Sequence, residues 1–189
     1  MISTRAGALG AVIAAVMIGS GLRAEVGQNC REDAMIVFDA SGSMSLADAE
    51  GRPRIDVARE SLAAVLPEAT HLRRTGLIVY GPGGSCFVDL KLRPTLNSAE
   101  AIQDIIEDVS ASGATPLSHA VDTAVRVLGG GSRPGLIVLV TDGEDNCGMD
   151  PCDLGARLAM EAPKTIVHII GFMMGDRQAV HASCLADQT

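Results

Sequence analysis

Apolar positions fall along this chain in two patterns. Four segments are continuous: 34–38 (AMIVF), 76–80 (GLIVY), 136–140 (LIVLV) and 166–170 (IVHII). Runs without alternation suit strands buried on both faces, as in parallel sheets covered by helices. His168, inside the last of them, accordingly reads as a satisfied core histidine. A fifth segment, 86–92 (CFVDLKL), behaves differently. Val88, Leu90 and Leu92 alternate with Phe87, Asp89 and Lys91, the pattern of a half-exposed antiparallel edge strand. It follows its predecessor through GPGGS, a hairpin-like connection.

The segments between these carry helical spacing. Ile55, Ala58, Leu62, Val65 and Leu66 form one stripe, and Ile102, Ile105, Ile106 and Val109 a second. Leu117, Ala120, Val121, Ala124, Val125 and Leu128 form a third, stopped by glycines 129–131. A fourth helix starts with Asp150 as N-cap and Pro151 at its first position, burying Leu154 and Leu158. A fifth runs from about Asp176 through Val180 to Leu185. Strands alternating with helices predict one α/β domain: a doubly wound, mostly parallel open sheet with one antiparallel edge strand and helices on both faces. With 189 residues, 47% of them hydrophobic, the chain can bury a real core.

The first residues stand apart from that domain. Arg5 precedes an uncharged, mostly apolar run at 8–22, and small residues follow. This is the anatomy of a secretory signal and is short for a membrane span. Residues 1–24 are therefore expected to be removed after Ala24, with an uncleaved anchor as the alternative, leaving a single domain over 25–189 in a periplasmic or extracellular compartment. Export changes how Cys30, Cys86, Cys147, Cys152 and Cys184 read, because an oxidising compartment pairs cysteines. Five is odd, so one stays free or pairs with another chain. Cys147 and Cys152, nearest in sequence, are the expected bridge. A zinc site is the rival, weakly supported by a C-x4-C spacing that lacks a second pair.

Net charge is −8, with no Trp, one Tyr and three Phe. Nucleic-acid binding usually uses a basic face and aromatic platforms, and neither is present. An acidic chain is suited instead to holding cations. The candidate chemistry lies where strands end. Segment 34–38 runs into Asp39, followed by Ser41 and Ser43, and 136–140 runs through Thr141 into Asp142 and Gly143. Asp39 sits beyond the buried run, where it contributes no core packing. In open parallel sheets ligands bind outside the carboxyl ends of strands, where neighbouring strands send their helices to opposite faces. Two carboxylates facing each other there need a cation or a shared proton. Thr115, before Pro116 and a helix, adds a third hydroxyl, although Thr-Pro is also an ordinary helix cap. Oxygen-only ligands suit a hard cation, Mg²⁺ above all, with Mn²⁺ or Ca²⁺ as alternatives.

DASGS (39–43), TDG (141–143) and the threonine between them resemble the metal-ion-dependent adhesion site of von Willebrand factor type A (VWA) domains, over roughly residues 31–189. The resemblance implies a Rossmann-like VWA fold, shortened by the last strand and helix that family members usually add. It implies Ser41, Ser43 and Thr115 as hydroxyl ligands, and Asp39 and Asp142 as carboxylates holding the metal directly or through water. It also implies a partner protein that completes the site with an acidic residue. Gly42 and Gly143 are expected to let the loops approach the metal, and Asp48, Glu144 and Asp145 to form a solvated rim. The rival is a Mg²⁺-dependent hydrolase or phosphotransferase using Asp39. Against it, Ser41 stands where such enzymes place a second carboxylate, and no Lys falls near the crevice. His119, one turn into its helix, reads as exposed.

Overall fold

The computed structural model describes residues 32–189. The expected signal segment and Cys30 lie outside the described residues. Five strands form one sheet: β1 (Asp33–Asp39), β2 (Thr75–Tyr80), β3 (Val88–Thr95), β4 (Gly135–Thr141) and β5 (Thr165–Gly171). Their spatial order is β3-β2-β1-β4-β5, with β3 antiparallel to β2 and every other pair parallel. The hairpin-linked edge strand thus stands as expected, shifted a little towards the carboxyl end.

Helix α1 (Arg54–Leu72) joins β1 to β2, and α2 (Ala99–Glu107) and α3 (Leu117–Val127) join β3 to β4. Helix α4 (Pro151–Glu161) joins β4 to β5, and α5 (Asp176–Asp187) follows β5. Successive residues of β1 point to opposite faces and so feed two separate cores. Ile36 and Phe38 pack with Ile55, Leu62 and Leu66 of α1 and with Ile102 and Ile106 of α2. Met35 and Val37 pack with Leu117, Val121 and Val125 of α3, with Leu154 and Leu158 of α4, and with Leu185 of α5. Strand β1, covered on both sides, is the buried run that its sequence indicates.

Two expectations fail at the margins of these layers. Val65 and Val180, assigned to the helical stripes, are exposed at 56% and 64%. Strand β5 is not covered on both faces. Thr165 and Val167 are buried, whereas Ile166, His168 and Ile170 are exposed, because α1 and α2 end their coverage before this edge. His168 is therefore a surface residue, not a core histidine.

The cysteines pair across elements. Cys86, in the loop before β3, bonds Cys147 in the loop after β4, and Cys152 in the first turn of α4 bonds Cys184 of α5. The expected Cys147–Cys152 bridge is wrong. Asp150 caps α4 by accepting hydrogen bonds from the Cys152 and Asp153 amides, which places Cys152 on the helix against α5 and leaves Cys147 on the loop side of the cap. With these four sulfurs in disulfides, none is left as a zinc ligand.

Candidate metal centre

Strands β1 and β4 are neighbours, and their helices α1 and α4 leave to opposite faces. That pair is the switch point of the sheet, and both sequence-predicted carboxylates lie on it. The Asp39 carboxylate is wholly buried. Its Oδ1 accepts from the Ser41 amide at 2.7 Å and its Oδ2 from the Thr141 hydroxyl at 2.7 Å. Its place beyond the apolar run does not put it in solvent, because the loops that follow β1, β2 and β4 close over it. Burial raises its pKa above the ordinary carboxylate value, and the hydrogen bonds from Ser41 and Thr141 offset part of the rise. The Tyr80 hydroxyl lies beside it, buried and without a well-formed hydrogen bond. Burial and the Asp39 charge push that phenol well above its usual pKa.

A chain of oxygens runs from β1 to β4. Ser41 Oγ and Ser43 Oγ are 3.2 Å apart, and Ser43 Oγ donates to Asp142 Oδ1 at 2.6 Å. A short 3-10 helix, Gly42–Ser45, turns Ser43 towards Asp142, and buried Met44 anchors that turn in the core. Asp142 is as buried as Asp39, but its second oxygen meets a cation. Arg54, the first residue of α1, donates from Nη1 to Asp142 Oδ2 at 2.7 Å. This arginine was not foreseen. Nothing in its sequence neighbourhood connects it to a residue 88 positions away.

Thr115 is held against the same loops by the backbone. The Gly42 amide donates to Gly113 O at 3.1 Å, and the Ser112 amide to Ala40 O at 2.8 Å. On the other side the Thr115 amide donates to Asn146 Oδ1 at 2.7 Å, and the Asn146 amide returns a bond to Thr115 O at 3.2 Å. Thr115 is buried, but it does not cap α3. Pro116 occupies the N-cap position, and Asp145 Oδ2 accepts from the Ser118 amide at 2.8 Å instead. Asp145 Oδ1 also accepts from the Cys147 amide, and Asp48 accepts from the Glu50 and Arg52 amides. Asp48 and Asp145 therefore organise loops and are not a solvated rim. His119 is exposed, as expected.

The tightest loop-on-loop contacts fall at glycines other than Gly42 and Gly143. A Cβ on Gly42 or Gly143 would meet its nearest neighbour at 3.5 or 3.8 Å, ordinary contact distances. The tight positions are Gly81 (φ +111°), where a Cβ would come within 2.5 Å of the Ala40 backbone, and Gly113 (φ +79°), where it would come within 2.1 Å of Gly81 O. These two let the loops after β1 and β2 and the loop before α3 stack directly on one another.

The donor set is hydroxyls and carboxylates. Among the described residues no group of three or more His, Cys, Asp and Glu forms a metal cluster. Two carboxylates and two serine hydroxyls converge, and Thr115 is tied to the same loops, so the residues fit a small divalent cation.

A mixed α/β sheet with an oxygen cluster at its switch point defines a class of domain, and comparison with known proteins gives the family. Residues 34–144 match the von Willebrand factor type A domain, and the chain belongs to that family. It is 29% identical over 153 residues to the uncharacterized protein YwmD of Bacillus subtilis (strain 168), covering 72% of this chain and 66% of that protein. Its fold is similar to the D319A mutant of the PilB minor pilin from Streptococcus sanguinis, with a TM-score of 0.64, 16% identity, and coverage of 86% of this chain and 55% of that one. It is similar as well to proximal thread matrix protein 1 from the mussel byssus, solved with zinc occupying its metal-ion-dependent adhesion motif. There the TM-score is 0.60 at 19% identity, over 82% of this chain and 41% of that one. The chain thus spans less than two thirds of the length of each of these relatives.

Proposed function

We propose that this protein is an exported, divalent-metal-dependent protein-binding module. Asp39, Ser41, Ser43, Thr115 and Asp142 would hold Mg²⁺ and leave a coordination position for a carboxylate from a partner protein. The observation that carries this reading is the hydrogen-bonded series across the switch point between β1 and β4: the Ser41 amide donates to Asp39, and the Ser41 and Ser43 hydroxyls lead on to Asp142. In it Ser43 donates its proton to Asp142 and so accepts from Ser41, which leaves Ser43 one lone pair for a cation and orients it. Bound Mg²⁺ would supply Lewis acidity to these residues' site. With the hydroxyls as direct ligands and a carboxylate acting through water, the cation would keep part of its local positive charge, which attracts an incoming Asp or Glu. The zinc-occupied motif of the byssus protein supports the reading by showing that a domain of this fold can hold a divalent ion there. Disulfides joining separate elements, Cys86–Cys147 and Cys152–Cys184, support an oxidising compartment, in which the mature domain would cover 25–189.

Thermal unfolding in Mg²⁺ against chelator tests the site. Wild type should gain about 2.7 kcal/mol at a hundredfold excess of Mg²⁺ over its dissociation constant. Asp39→Asn keeps one acceptor for the Ser41 amide, sets its NH2 against the Thr141 hydroxyl, which can turn to accept, and loses the charge, so it should fold and lose most of that gain. An Asp39→Asn variant that gains as much as wild type would place the metal elsewhere. A pull-down from envelope extract in Mg²⁺ and in chelator then identifies the partner. Release of phosphate from an aryl phosphate would favour the hydrolase reading instead.

A further inference from the structure

We propose that Arg54 is an internal counter-cation of the metal centre: it holds Asp142 when the site is metal-free and must surrender it for a divalent ion to bind tightly. The inference rests on the metal-binding reading above. Asp142 is fully buried, and its Oδ2 is engaged by Arg54 Nη1 at 2.7 Å, while Ser43 takes Oδ1. Asp39, by contrast, has hydrogen bonds only from neutral donors, the Ser41 amide and the Thr141 hydroxyl. The two carboxylates therefore reach charge compensation by different means. One formal positive charge is already built into the site, on the carboxylate that a divalent ion also needs.

The guanidinium is poorly settled in this position. Its Nε is buried and has no hydrogen-bond partner in the protein, which penalises the arrangement. It also has somewhere else to go. Arg54 lines a neighbouring cavity of about 320 Å³ together with Asp48, Glu50, Arg52, Phe172 and Met173. Asp48 there is already held by Arg52 and by two backbone amides, so Glu50 is the carboxylate that offers a second counter-ion to a long, partly exposed side chain at a helix start. A guanidinium left on Asp142 would repel a nearby divalent ion, whereas one turned towards Glu50 and solvent would do so far less. Arg54 thereby makes the metal-free domain stable at the expense of metal affinity, so that occupancy depends on the surrounding concentration of the ion.

The test uses Arg54→Gln and Arg54→Met, two uncharged side chains of different polarity, with Mg²⁺ alone as the probe. Mg²⁺ titration should show both variants binding about tenfold more tightly than wild type, since a competing charge is gone. In chelator both should melt below wild type, because Asp142 is left unpaired. Saturating Mg²⁺ should close most of that gap. If wild type responds to Mg²⁺ while the variants bind no more tightly, or if their deficit is the same with and without the ion, the Arg54 inference is overturned and the metal reading stands. If Mg²⁺ moves neither wild type nor variants, the metal reading falls and this inference with it. A wild type that does not respond, beside variants that do, would show Arg54 keeping the site shut.

Discussion

Thr115 and Asp145 exchange roles between sequence and structure. Thr-Pro before a helix reads as a cap, and Asp145 reads as a solvated charge near a metal site. In the fold Asp145 reaches across from the loop after β4 to accept the Ser118 amide, while Thr115 is fastened by its backbone to Asn146. The two residues should separate cleanly in mutagenesis. Asp145→Ala should cost about 1 kcal/mol of stability through the lost cap, equally in Mg²⁺ and in chelator. Thr115→Ala should cost little in chelator but should lose much of the Mg²⁺-dependent gain. Denaturant unfolding of both variants under the two conditions checks this. A Thr115→Ala deficit that ignores Mg²⁺ would return that residue to a structural role. The reason this was illegible is that a cap can come from a side chain 27 residues away in sequence, and local spacing carries no trace of it.

At the scale of elements, the disulfides decide how the site-bearing loops are held. Cys86–Cys147 ties the hairpin loop before β3 to the loop that carries Asp142, Asp145 and Asn146, closing 61 residues. Cys152–Cys184 clamps α4 to α5 and closes 32. In the chain-entropy picture each contributes roughly 4 kcal/mol, about twice what a bridge between neighbouring Cys147 and Cys152 would supply. Peptide mapping of unreduced protein should recover the 86–147 and 152–184 cross-links. A linked 147–152 peptide would contradict the fold of this loop. Reduction should lower stability by several kcal/mol and weaken Mg²⁺ binding as well, because the loop after β4 loses its tether. Sequence proximity pointed to the wrong pair because Asp150 starts a helix between the two cysteines and turns them away from each other.

At the scale of the whole molecule, the five strands among the described residues are covered unequally. Helices α3, α4 and α5 share one face with β5, while on the other face α1 and α2 stop short of it and leave Ile166, His168 and Ile170 exposed. His168→Gln should accordingly change stability by no more than about 0.5 kcal/mol, the range of an ordinary surface substitution. Chemical unfolding measures it, and a loss of several kcal/mol would mean that the residue is buried after all. The five-residue apolar run at 166–170 looks no different from the one at 34–38. What differs is position in the sheet: β1 has a neighbour on each side and helices on both faces, and β5 lies at the edge.

The sequence by itself determined the elements, the parallel sheet with its antiparallel edge, and the polar residues 39, 41, 43 and 142 that the fold brings together at the switch point. Apolar periodicity and turn chemistry are local, and the DASGS and TDG loops each follow directly from a buried strand. Tertiary structure alone decided which cysteines meet, which end strand stays half bare, which glycines the loops need for close stacking, and that Arg54 neutralises Asp142. Each of these depends on what packs against a residue from a distant part of the chain, and pairings of that kind leave no periodic mark for the sequence to show.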